Sequence, residues 1–322
     1  ENNLISIILV NYNTLDYTLN CIKSIINSPS KVPFEIIVVD NASQEKVDVI
    51  LNYFPEIILV KNTTNRGFTG GNNEGVKRAR GKFILILNND TLLKPSTLDN
   101  LVSILSELPE NYVVTGYIEN PDGTPQVSCG REPTFLLEFL RFTLFLIKYF
   151  PLPYIDKFWL KTWEREEIQE VDWATGAFFA MRRDFYQRLG GFDENIFMYF
   201  EDVDLHKRVR EQGGKILYYP QLKIVHFGGQ SSRQVNQLAL QYQYRSTIYF
   251  FQKYRGKIKT LIFKFLTKLF FLGWFLVFAF LTVFTAGQIN VLKEKRDMYK
   301  VCLLYTSPSP RDLSTSRMPS SA

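Results

Sequence analysis

A short acidic segment in the second half of the chain carries the residue types that proton transfer requires. Glu201, Asp202 and Asp204 fall within four residues, directly after the aromatic and apolar run 196–200, and His206 follows them. A carboxylate set against aromatic side chains loses hydration, which raises its pKa and suits it to act as a general base. The same acids also fit a helix N-terminus, where negative charge complements the helix dipole. The segment alone leaves both interpretations open.

Two aspartates in the first half of the chain each follow a run of apolar residues. Asp40 ends the stretch FEIIVVD, and Asp90 ends the stretch FILILNND. Asp40 can accept hydrogen bonds from a nucleotide base or ribose, because a carboxylate only accepts. Asp90 can hold a divalent cation, since magnesium and manganese prefer oxygen ligands. Either residue can instead start a turn or cap the next helix.

A glycine-rich stretch, NRGFTGGNNEG at residues 65–75, lies between these aspartates. We interpret it as a loop before a short helix at 76–80, with backbone N–H groups that can approach a diphosphate. The stretch matches neither the GxGxxG fingerprint nor the P-loop, so its pattern alone is weak. The donor contacts that we predict in it are Asn65, Arg66, Gly67, Gly71 and Asn72.

The apolar runs in the sequence predict the strands and helices that position these residues. Residues 4–10, 34–39, 57–60 and 82–87 are short, rich in β-branched residues and typical of buried strands, and an amphipathic helix is predicted up to Asn27. Alternating strands and helices predict an α/β fold with a mainly parallel sheet. Ligands bind such sheets beyond the carboxyl ends of the strands. The polar residues at those ends are Asn11, Asp40, Asn62 and Asp90.

Composition narrows the class of protein. The chain has 322 residues, is 46% hydrophobic and carries a formal charge of +6, so it can bury a large core and is not disordered. Its basic residues are dispersed and become denser near the apolar C-terminal region, which favours phosphate ligands or an anionic membrane surface over nucleic acid. Three widely spaced cysteines, Cys21, Cys129 and Cys302, form no CxxC pair and indicate buried thiols rather than a zinc site.

Six segments together resemble the successive motifs of family 2 glycosyltransferases, particularly bacterial rhamnosyltransferase-like members. They occur in the family's order between Ile5 and Ser232 and read ISIILVNYN, IIVVDNAS, NRGFTGGNNEG, ILILNND, TGAFFAMRRDFYQRLGGFDE and FMYFEDVDLHKRVREQG. Six ordered motifs are far more specific than any one of them. The resemblance implies a GT-A type, Rossmann-like nucleotide-sugar-binding sheet and an inverting mechanism.

The resemblance also implies roles for individual residues. Asp202 matches the catalytic base, with Glu201 beside it. Asp40 matches the carboxylate that contacts the nucleoside. Asp90 matches the last residue of the family's DxD-type motif, and His226 matches a histidine that completes the metal site in some members, so a divalent cation, Mg²⁺ or Mn²⁺, is expected at these two residues. Asn88 and Asn89 stand where other members carry an acid, which makes the metal requirement less certain. Asn11 and Asn89 complete the predicted donor site.

The acceptor site is predicted at Trp173, Thr175 and Gly176, within the segment DWATGA. An indole face stacks on sugar C–H groups, although a large aromatic is as often part of the core. Glycine lets the backbone approach a ligand closely. We divide the catalytic domain, 1–232, into a donor half of about 1–115 and an acceptor half of about 116–232. The apolar segment 135–153 within it fits either a core helix or an interfacial one.

The composition changes after residue 232. Residues 233–303 are predicted to be helical and membrane-associated, because residues 269–287 contain no charge and follow a cluster of lysines. The length of residues 269–287 just suffices to span a bilayer. The basic residues that follow them favour instead a helix that lies in the membrane interface and contacts it through residues 260–290. Residues 304–322 lose all periodicity and resemble a non-native tail, which we exclude from the functional argument.

These observations predict an inverting glycosyltransferase at the cytoplasmic face of the cell membrane. It would move a sugar, plausibly rhamnose or another hexose, from a nucleoside-diphosphate sugar to a lipid-linked or cell-surface polysaccharide acceptor. A nucleotidyltransferase would also need Asp90 and a metal, but gives no role to Asp202 and His226. A sugar-nucleotide-binding subunit with a decayed site is the non-enzymatic alternative, and the amides Asn88 and Asn89 are the feature that supports it.

Overall fold

The computed structural model describes residues 3–143, 166–228, 236–285 and 290–304 of the chain. Contacts divide these residues into two compact units. The first contains the described residues up to 132 and from 166 to 228, and the second contains 133–143 and the described residues from 236 onward. The predicted tail beyond residue 304 lies outside the described residues.

A central sheet organises the first unit. Its described strands are β1 (Ile5–Asn11), β2 (Phe34–Asp40), β3 (Ile58–Lys61), β4 (Phe83–Asn88), β5 (Thr91–Leu93), β6 (Val113–Glu119), β8 (Gln169–Val171), β10 (Phe178–Arg182) and β11 (Ile216–His226). Two further strands, β7 (Cys129–Gly130) and β9 (Trp173–Ala174), form a separate antiparallel ribbon. The four strands predicted from the apolar runs therefore exist, each shifted by about one residue.

The sheet is mixed rather than mainly parallel. Its order is β3-β2-β1-β4-β10-β6-β11-β5, with β8 paired to β11. Strands β1 to β4 pair in parallel, as predicted, but β10 runs antiparallel to both β4 and β6. The antiparallel strand enters the middle of the sheet from the second half of the chain, where apolar periodicity gives no information on strand direction.

Helices cover both faces of this sheet. They are α1 (Leu15–Ile26), α2 (Val49–Tyr53), α3 (Gly67–Arg78), α4 (Thr97–Glu107), α6 (Arg183–Arg188) and α7 (Glu201–Glu211). In β1, Ile7 and Leu9 belong to one buried cluster and Ile8 to the other, because successive side chains point to opposite faces. This double burial explains why the strand is an unbroken apolar run. Cys21 and Cys129 are buried free thiols.

The glycine-rich stretch forms a helix, which corrects its prediction as a loop. Helix α3 begins at Gly67 and includes the glycines that were expected to face a diphosphate. A Cβ atom at Gly71 would lie 2.8 Å from Val10 Cγ1, and one at Gly75 would lie 2.5 Å from Ile8 Cγ2. The missing side chains thus allow α3 to approach β1 closely, which is a packing role.

The second unit is helical and includes a segment that we had assigned to the catalytic domain. Its helices are α5 (Phe135–Thr143), α8 (Asn236–Tyr254), α9 (Lys257–Phe284) and α10 (Asn290–Leu304). The ring of Phe135 lies 5.4 Å from that of Phe263, and the ring of Phe142 lies 5.3 Å from that of Tyr244. These aromatic contacts attach residues 133–143 to the C-terminal helices, so the assignment of this segment to the catalytic domain is corrected, while the division near residue 232 lies within two residues of the one in the structure.

Candidate active site

The carboxyl ends of β1 and β2 meet at a buried pair of polar side chains. The two strands are in register, with Asn11 opposite Asp40. Asn11 Nδ2 donates to Asp40 Oδ1 at 2.9 Å, and the Ser43 N–H donates to Asp40 Oδ2 at 3.1 Å. Asp40 is only 4% exposed, and each of its oxygens already accepts one bond. A carboxylate retains further lone pairs, so Asp40 can still accept from a nucleoside donor at the sheet edge. Asn11 is fully buried and Thr18 Oγ1 donates to its Oδ1, so the predicted donor contact at Asn11 is corrected to a support for Asp40.

Asn89 belongs to the scaffold of this edge rather than to a ligand site. Its Nδ2 donates to Thr14 Oγ1 at 2.8 Å and to Thr18 Oγ1 at 2.7 Å. Thr18 Oγ1 in turn donates to Asn11 Oδ1 at 2.8 Å. These bonds tie β4 to the start of α1, and Asn89 is 6% exposed. The predicted donor contact at Asn89 is corrected, because its amide is committed to this buried network.

Asp90 and His226 come together although 136 positions separate them in the chain. His226 Nε2 lies 3.2 Å from Asp90 Oδ1 and 3.2 Å from Asn88 Nδ2. The backbone joins the same elements, since the Phe227 N–H donates to the Asp90 carbonyl at 2.9 Å. Strands β5 and β11 pair antiparallel here, with His226 opposite Thr91. Sheet pairing thus brings together the carboxylate and the imidazole that the family resemblance assigned to one cation site.

Gln126 orients the His226 ring, and no motif in the sequence points to this residue. Gln126 Nε2 donates to Asn120 Oδ1 at 2.7 Å and to the His226 carbonyl at 2.6 Å. The remaining amide atom, Oε1, faces His226 Nδ1 at 2.9 Å, so Nδ1 carries a proton and donates. In the neutral ring, Nε2 then presents a lone pair towards Asp90.

This arrangement fits a divalent cation. Nε2 of His226 and Oδ1 of Asp90 lie 3.2 Å apart, close enough for both atoms to contact one cation. Imidazole and carboxylate are both ordinary ligands of manganese, and the outer-ring bond to Gln126 is the kind that orients such a ligand. Within the described residues, no group of three or more His, Cys, Asp or Glu side chains can hold a metal. Asp90 and His226 would therefore depend on further ligands from a bound diphosphate.

Asp202 is held at the first turn of α7 by two backbone N–H groups. Its Oδ1 accepts from Val203 at 2.8 Å, and its Oδ2 accepts from Gly176 at 3.2 Å. The side chain is only partly exposed, and this loss of hydration raises its pKa to about 6. The carboxylate is thus ionised near neutral pH, yet basic enough to take a proton.

Two hydrogen bonds connect Asp202 to the strand end that carries Asp90. Gly176 donates to Asp202, and the next residue, Ala177, accepts from the Asn88 N–H at 3.1 Å. The segment between β9 and β10 is therefore bonded to α7 on one side and to β4 on the other. It brings the predicted base and the predicted metal ligands to one site.

Glu201 differs from Asp202 in its environment. It is 6% exposed, and its Oε2 has no hydrogen-bond partner among the described residues. Burial, and secondarily the charge of Asp202, raises the pKa of Glu201 well above its usual range. Burial favours the protonated form of Glu201, so of the two predicted catalytic residues Asp202 is the better placed to act as the base and Glu201 lies buried beside it.

Strained backbone sets the start of α7. Tyr199 and Phe200 have φ angles of 67° and 68°, in the left-handed region that bulky residues rarely adopt. Such conformations persist only where the surroundings enforce them, and they cluster at functional sites. Here they turn the chain immediately before Glu201 and Asp202.

The remaining predicted donor contacts face inward. Arg66 pairs with Glu74 at 3.2 Å and with Glu194 at 2.7 Å, so its charge is already compensated. Gly67 has its N–H bonded to Asn65 Oδ1 at 2.9 Å. Asn72 is 1% exposed and donates to the Phe68 carbonyl, while Gly71 packs on β1. These groups organise α3, and the predicted diphosphate cradle is not formed by them.

The predicted acceptor residues separate into two groups. Thr175 and Gly176 lie at the site, because Gly176 contacts Asp202 directly. Trp173 is 8% exposed, and its indole N–H donates to the Arg131 carbonyl at 2.9 Å. It packs within the β7–β9 ribbon, so its prediction as a sugar-stacking surface is corrected to a core role.

Two further residues of the acidic segment are structural. His206 is fully buried and accepts from the Ala174 N–H at 3.2 Å. Burial, helped by Arg210 and Arg208, lowers its pKa to about 3, so it is neutral. Asp204 is also fully buried and pairs with Arg208 at 2.8 Å.

Sequence comparisons identify the family of the chain. A family model described as glycosyl transferase family 2 matches residues 6–190. N-acetylglucosaminyl-diphospho-decaprenol L-rhamnosyltransferase of Mycobacterium tuberculosis is 24% identical over 239 residues, which cover 68% of this chain and 74% of the relative. Rhamnosyltransferase WbbL of Escherichia coli K12 is 25% identical over 262 residues, covering 78% of this chain and 94% of that protein.

Solved structures share the fold. GalNAc-T7, determined with UDP, GalNAc and Mn²⁺, aligns with a TM-score of 0.52 and 18% identity over 69% of this chain and 43% of its own. The mannosyltransferase PcManGT of Pyrobaculum calidifontis, in complex with GDP-Man and Mn²⁺, aligns with a TM-score of 0.52 and 16% identity over 93% of this chain and 84% of its own. At these identities the likeness establishes the GT-A type mixed α/β sheet and nothing finer.

Proposed function

Because this chain belongs to glycosyl transferase family 2, we propose that it is an inverting enzyme that moves rhamnose or another hexose from a nucleoside diphosphate to a lipid-linked or cell-surface polysaccharide acceptor. Two rhamnosyltransferases among its relatives support the choice of sugar. The decaprenol diphosphate in the name of the Mycobacterium tuberculosis relative supports a lipid-linked acceptor.

The main observation that supports this proposal is the environment of the Asp202 carboxylate. Its carboxylate is held by two N–H groups, is partly buried and has a pKa raised to about 6. In the proposed reaction it removes the proton from an acceptor hydroxyl as that oxygen attacks the anomeric carbon. The bond from this carbon to the diphosphate oxygen breaks on the opposite face, and a single displacement of this kind inverts the anomeric centre.

The donor would lie along the carboxyl ends of β1, β2 and β4. Asp40 would receive the nucleoside as an acceptor at the edge of the sheet, whereas Asn11, which is fully buried and donates to Asp40, would hold that carboxylate in place. Asp90 and His226 would hold Mg²⁺ or Mn²⁺ against the diphosphate, with Asn88 beside them. A bound cation would neutralise negative charge on the leaving diphosphate. Among the described residues, Arg66 does not share this task, since two carboxylates already engage it.

We also place the reaction at the cytoplasmic face of the cell membrane. Helix α9 is long and apolar enough to cross a bilayer, with a mean hydropathy of 2.0 over its best window, and only 17% of that window is buried. An exposed helix of this composition is costly in water. An acceptor anchored in the membrane would explain why this helix is both apolar and exposed.

Asp202→Asn tests the assignment, because it keeps the size of the side chain and removes the base. A panel of dTDP-rhamnose, UDP-glucose, UDP-galactose and UDP-N-acetylglucosamine is first scored by thermal shift with and without Mn²⁺, since a bound donor raises Tm. With the donor thus identified, we expect Asp202→Asn to bind it as the wild type does and to lose at least about a hundredfold in transfer.

Three results would contradict this assignment. Unchanged turnover in Asp202→Asn would remove Asp202 from the chemistry. Donor binding without transfer in the wild type, across lipid-linked acceptors, would favour the binding subunit with a decayed site. Release of pyrophosphate from a nucleoside triphosphate would favour the nucleotidyltransferase.

A further inference from the structure

Helix α9 carries a continuous apolar stripe on its outer side. Ile258, Leu261, Phe265, Leu269, Leu276 and Phe280 recur at helical spacing, and each is more than half exposed. Positions three or four apart lie on one face of a helix, so these side chains form one band along about 33 Å. Large aliphatic and aromatic residues in such a band are unusual on a protein surface that faces water.

The opposite face of α9 is occupied by its own neighbours. Phe263, Thr267 and Phe271 are at most 1% exposed, and Thr267 Oγ1 lies 2.7 Å from the hydroxyl of Tyr244 in α8. Helix α10 packs on the same inner side, where the ring of Tyr299 lies 5.8 Å from Phe278 and 6.0 Å from Phe271. The apolar stripe therefore points away from α10.

The position of α10 argues against a spanning helix. Because Tyr299 is level with residues 271–278, the neighbouring Arg296, Asp297 and Lys300 lie beside the uncharged half of α9. If α9 crossed the membrane, these charges would be carried into the hydrocarbon with it. Each such charge costs about 2.5–3.5 kcal/mol at the bilayer centre.

The charges of α9 itself indicate which surface it meets. The helix has four lysines, Lys257, Lys259, Lys264 and Lys268, and no acidic residue. By helical spacing they flank the apolar stripe rather than interrupt it, so their ammonium groups can reach lipid headgroups while the stripe is buried. Basic residues near an anionic leaflet strengthen its binding.

We propose that α9 and α10 form a hairpin that lies in the plane of one anionic leaflet. The exposed stripe of α9 enters the acyl region, its lysines contact acidic headgroups, α10 stays on the water side, and the chain does not cross the bilayer. This inference rests on the proposed membrane location and specifies its geometry. In this geometry the protein is attached to one leaflet and does not span the bilayer, and high salt weakens the attachment because the lysine contacts are electrostatic.

Depth measurements test this geometry in the full-length protein. Leu261→Cys, Leu276→Cys and Val283→Cys, each in a Cys302→Ala background, receive an environment-sensitive fluorophore. Each protein is bound to vesicles of phosphatidylcholine with 30% phosphatidylglycerol, which carry spin labels at shallow or deep acyl positions. We expect all three sites to be quenched alike and more strongly by the shallow label, whereas Glu294→Cys on the exposed side of α10 remains unquenched.

Other outcomes overturn the in-plane hairpin. Deep quenching at residue 276 with none at residue 261 would establish a spanning helix. Membrane binding without quenching at any site would place another contact on the membrane and would mean that protein, such as a second copy of this chain, covers the stripe. Absence of vesicle binding would remove the membrane location as well, while leaving donor binding and transfer untouched, so the two failures are distinguishable.

Substitutions on the stripe provide a second readout. Phe265 and Phe280 are 66% and 69% exposed, so Phe→Ser at either position leaves the fold intact. We expect each change to weaken partition into these vesicles about tenfold, and Phe280→Leu to retain it, because burial of apolar area supplies the binding free energy. Equal partition of Phe280→Ser and the wild type would contradict the proposal.

Discussion

Asp202 and Glu201 are adjacent carboxyl groups in different surroundings. Asp202 keeps two N–H donors and partial access to water, whereas Glu201 has one buried oxygen without a partner in the described part of the chain. Burial and the neighbouring charge of Asp202 therefore both raise the pKa of Glu201.

Activity should follow the ionisation of Asp202. With its pKa raised to about 6, we expect kcat/KM to fall as the pH is lowered through about 6, because the protonated acid cannot accept a proton. A profile that stays flat down to pH 5, with donor binding intact, would contradict the role of base. The measurement is a pH series of initial rates at low donor concentration.

The same shift has a consequence for stability. The folded state holds this proton more tightly than the unfolded chain, so the stabilisation is complete below the ordinary pKa of 3.8 and is lost as the pH rises to about 6. The Asp202→Asn side chain does not ionise, so the variant does not lose folding stability in this way as the pH rises. At pH 7 it should raise the free energy of unfolding by about 1–2 kcal/mol, a value reduced for the partial exposure of the group.

Gln126 orients one of the two residues of the predicted cation site. Its Oε1 fixes the proton on His226 Nδ1 and so directs Nε2 towards Asp90. We expect Gln126→Ala to weaken Mn²⁺ binding in the presence of dTDP about 10- to 100-fold, because an unsupported imidazole loses its orientation. The free Mn²⁺ signal in electron paramagnetic resonance measures this affinity without turnover.

A matched variant separates orientation from general damage. Gln126→Glu keeps an oxygen facing Nδ1 but loses the Nε2 donor to Asn120 and to the His226 carbonyl, so it should retain more Mn²⁺ affinity than Gln126→Ala and less than the wild type. Equal affinities in Gln126→Ala and the wild type would mean that the ring needs no support, or that His226 is not a ligand.

At the scale of elements, the glycines of α3 determine how closely helix and sheet pack. Gly75 lies against Ile8 and Val39, at 2.5 and 3.1 Å from the position of an added Cβ. Both neighbours are β-branched and lie in fully buried strands, so they cannot move aside easily. Helix α3 thereby holds Asn41 Nδ2 at 2.8 Å from the Gly67 carbonyl, next to Asp40.

Gly75→Ala should consequently destabilise the protein, although alanine favours a helix. The gain in helix propensity is about 1 kcal/mol, and the crowding of a packed core costs about 1–3 kcal/mol, so a net loss is expected. Chemical denaturation monitored by circular dichroism measures it. Lys77→Ala, on the exposed side of the same helix, is the control and should change stability by no more than about 0.5 kcal/mol. A more stable Gly75→Ala would mean that β1 and β2 yield to the methyl group.

At the scale of the whole molecule, the chain divides its two tasks between two units. The first unit contains every described residue of the candidate site, and the second contains the apolar helix α9. Residues 133–143 interrupt the first unit in sequence but pack with the second. Mutations on the outer stripe of α9 are therefore expected to change membrane affinity without altering the pKa of Asp202.

The first four strands and the candidate acids could be named from local patterns in the sequence. Unbroken β-branched runs can be stable only as strands buried on both faces, so β1 to β4 were predictable within about one residue. Asp40, Asp90 and Asp202 were also identifiable, because each stands at a position where the ordered family motifs place an acid. The length and lack of charge of α9 were visible for the same reason: hydropathy is a local property.

Only the tertiary structure decided how these segments meet. Helix α3 reads as a loop in sequence, since glycine is a poor helix former, until the approach of Ile8 and Val39 explains the absence of side chains. Asn88 and Asn89 are equivalent in sequence, yet one faces His226 and the other Thr14 and Thr18. Contacts between residues distant in sequence determine three further features: the burial of Glu201, the contact of Gln126 with His226 and the inner position of Trp173. Local patterns fix backbone type, whereas burial and hydrogen-bond partners arise from packing, so the chemistry of each side chain became clear only in the fold.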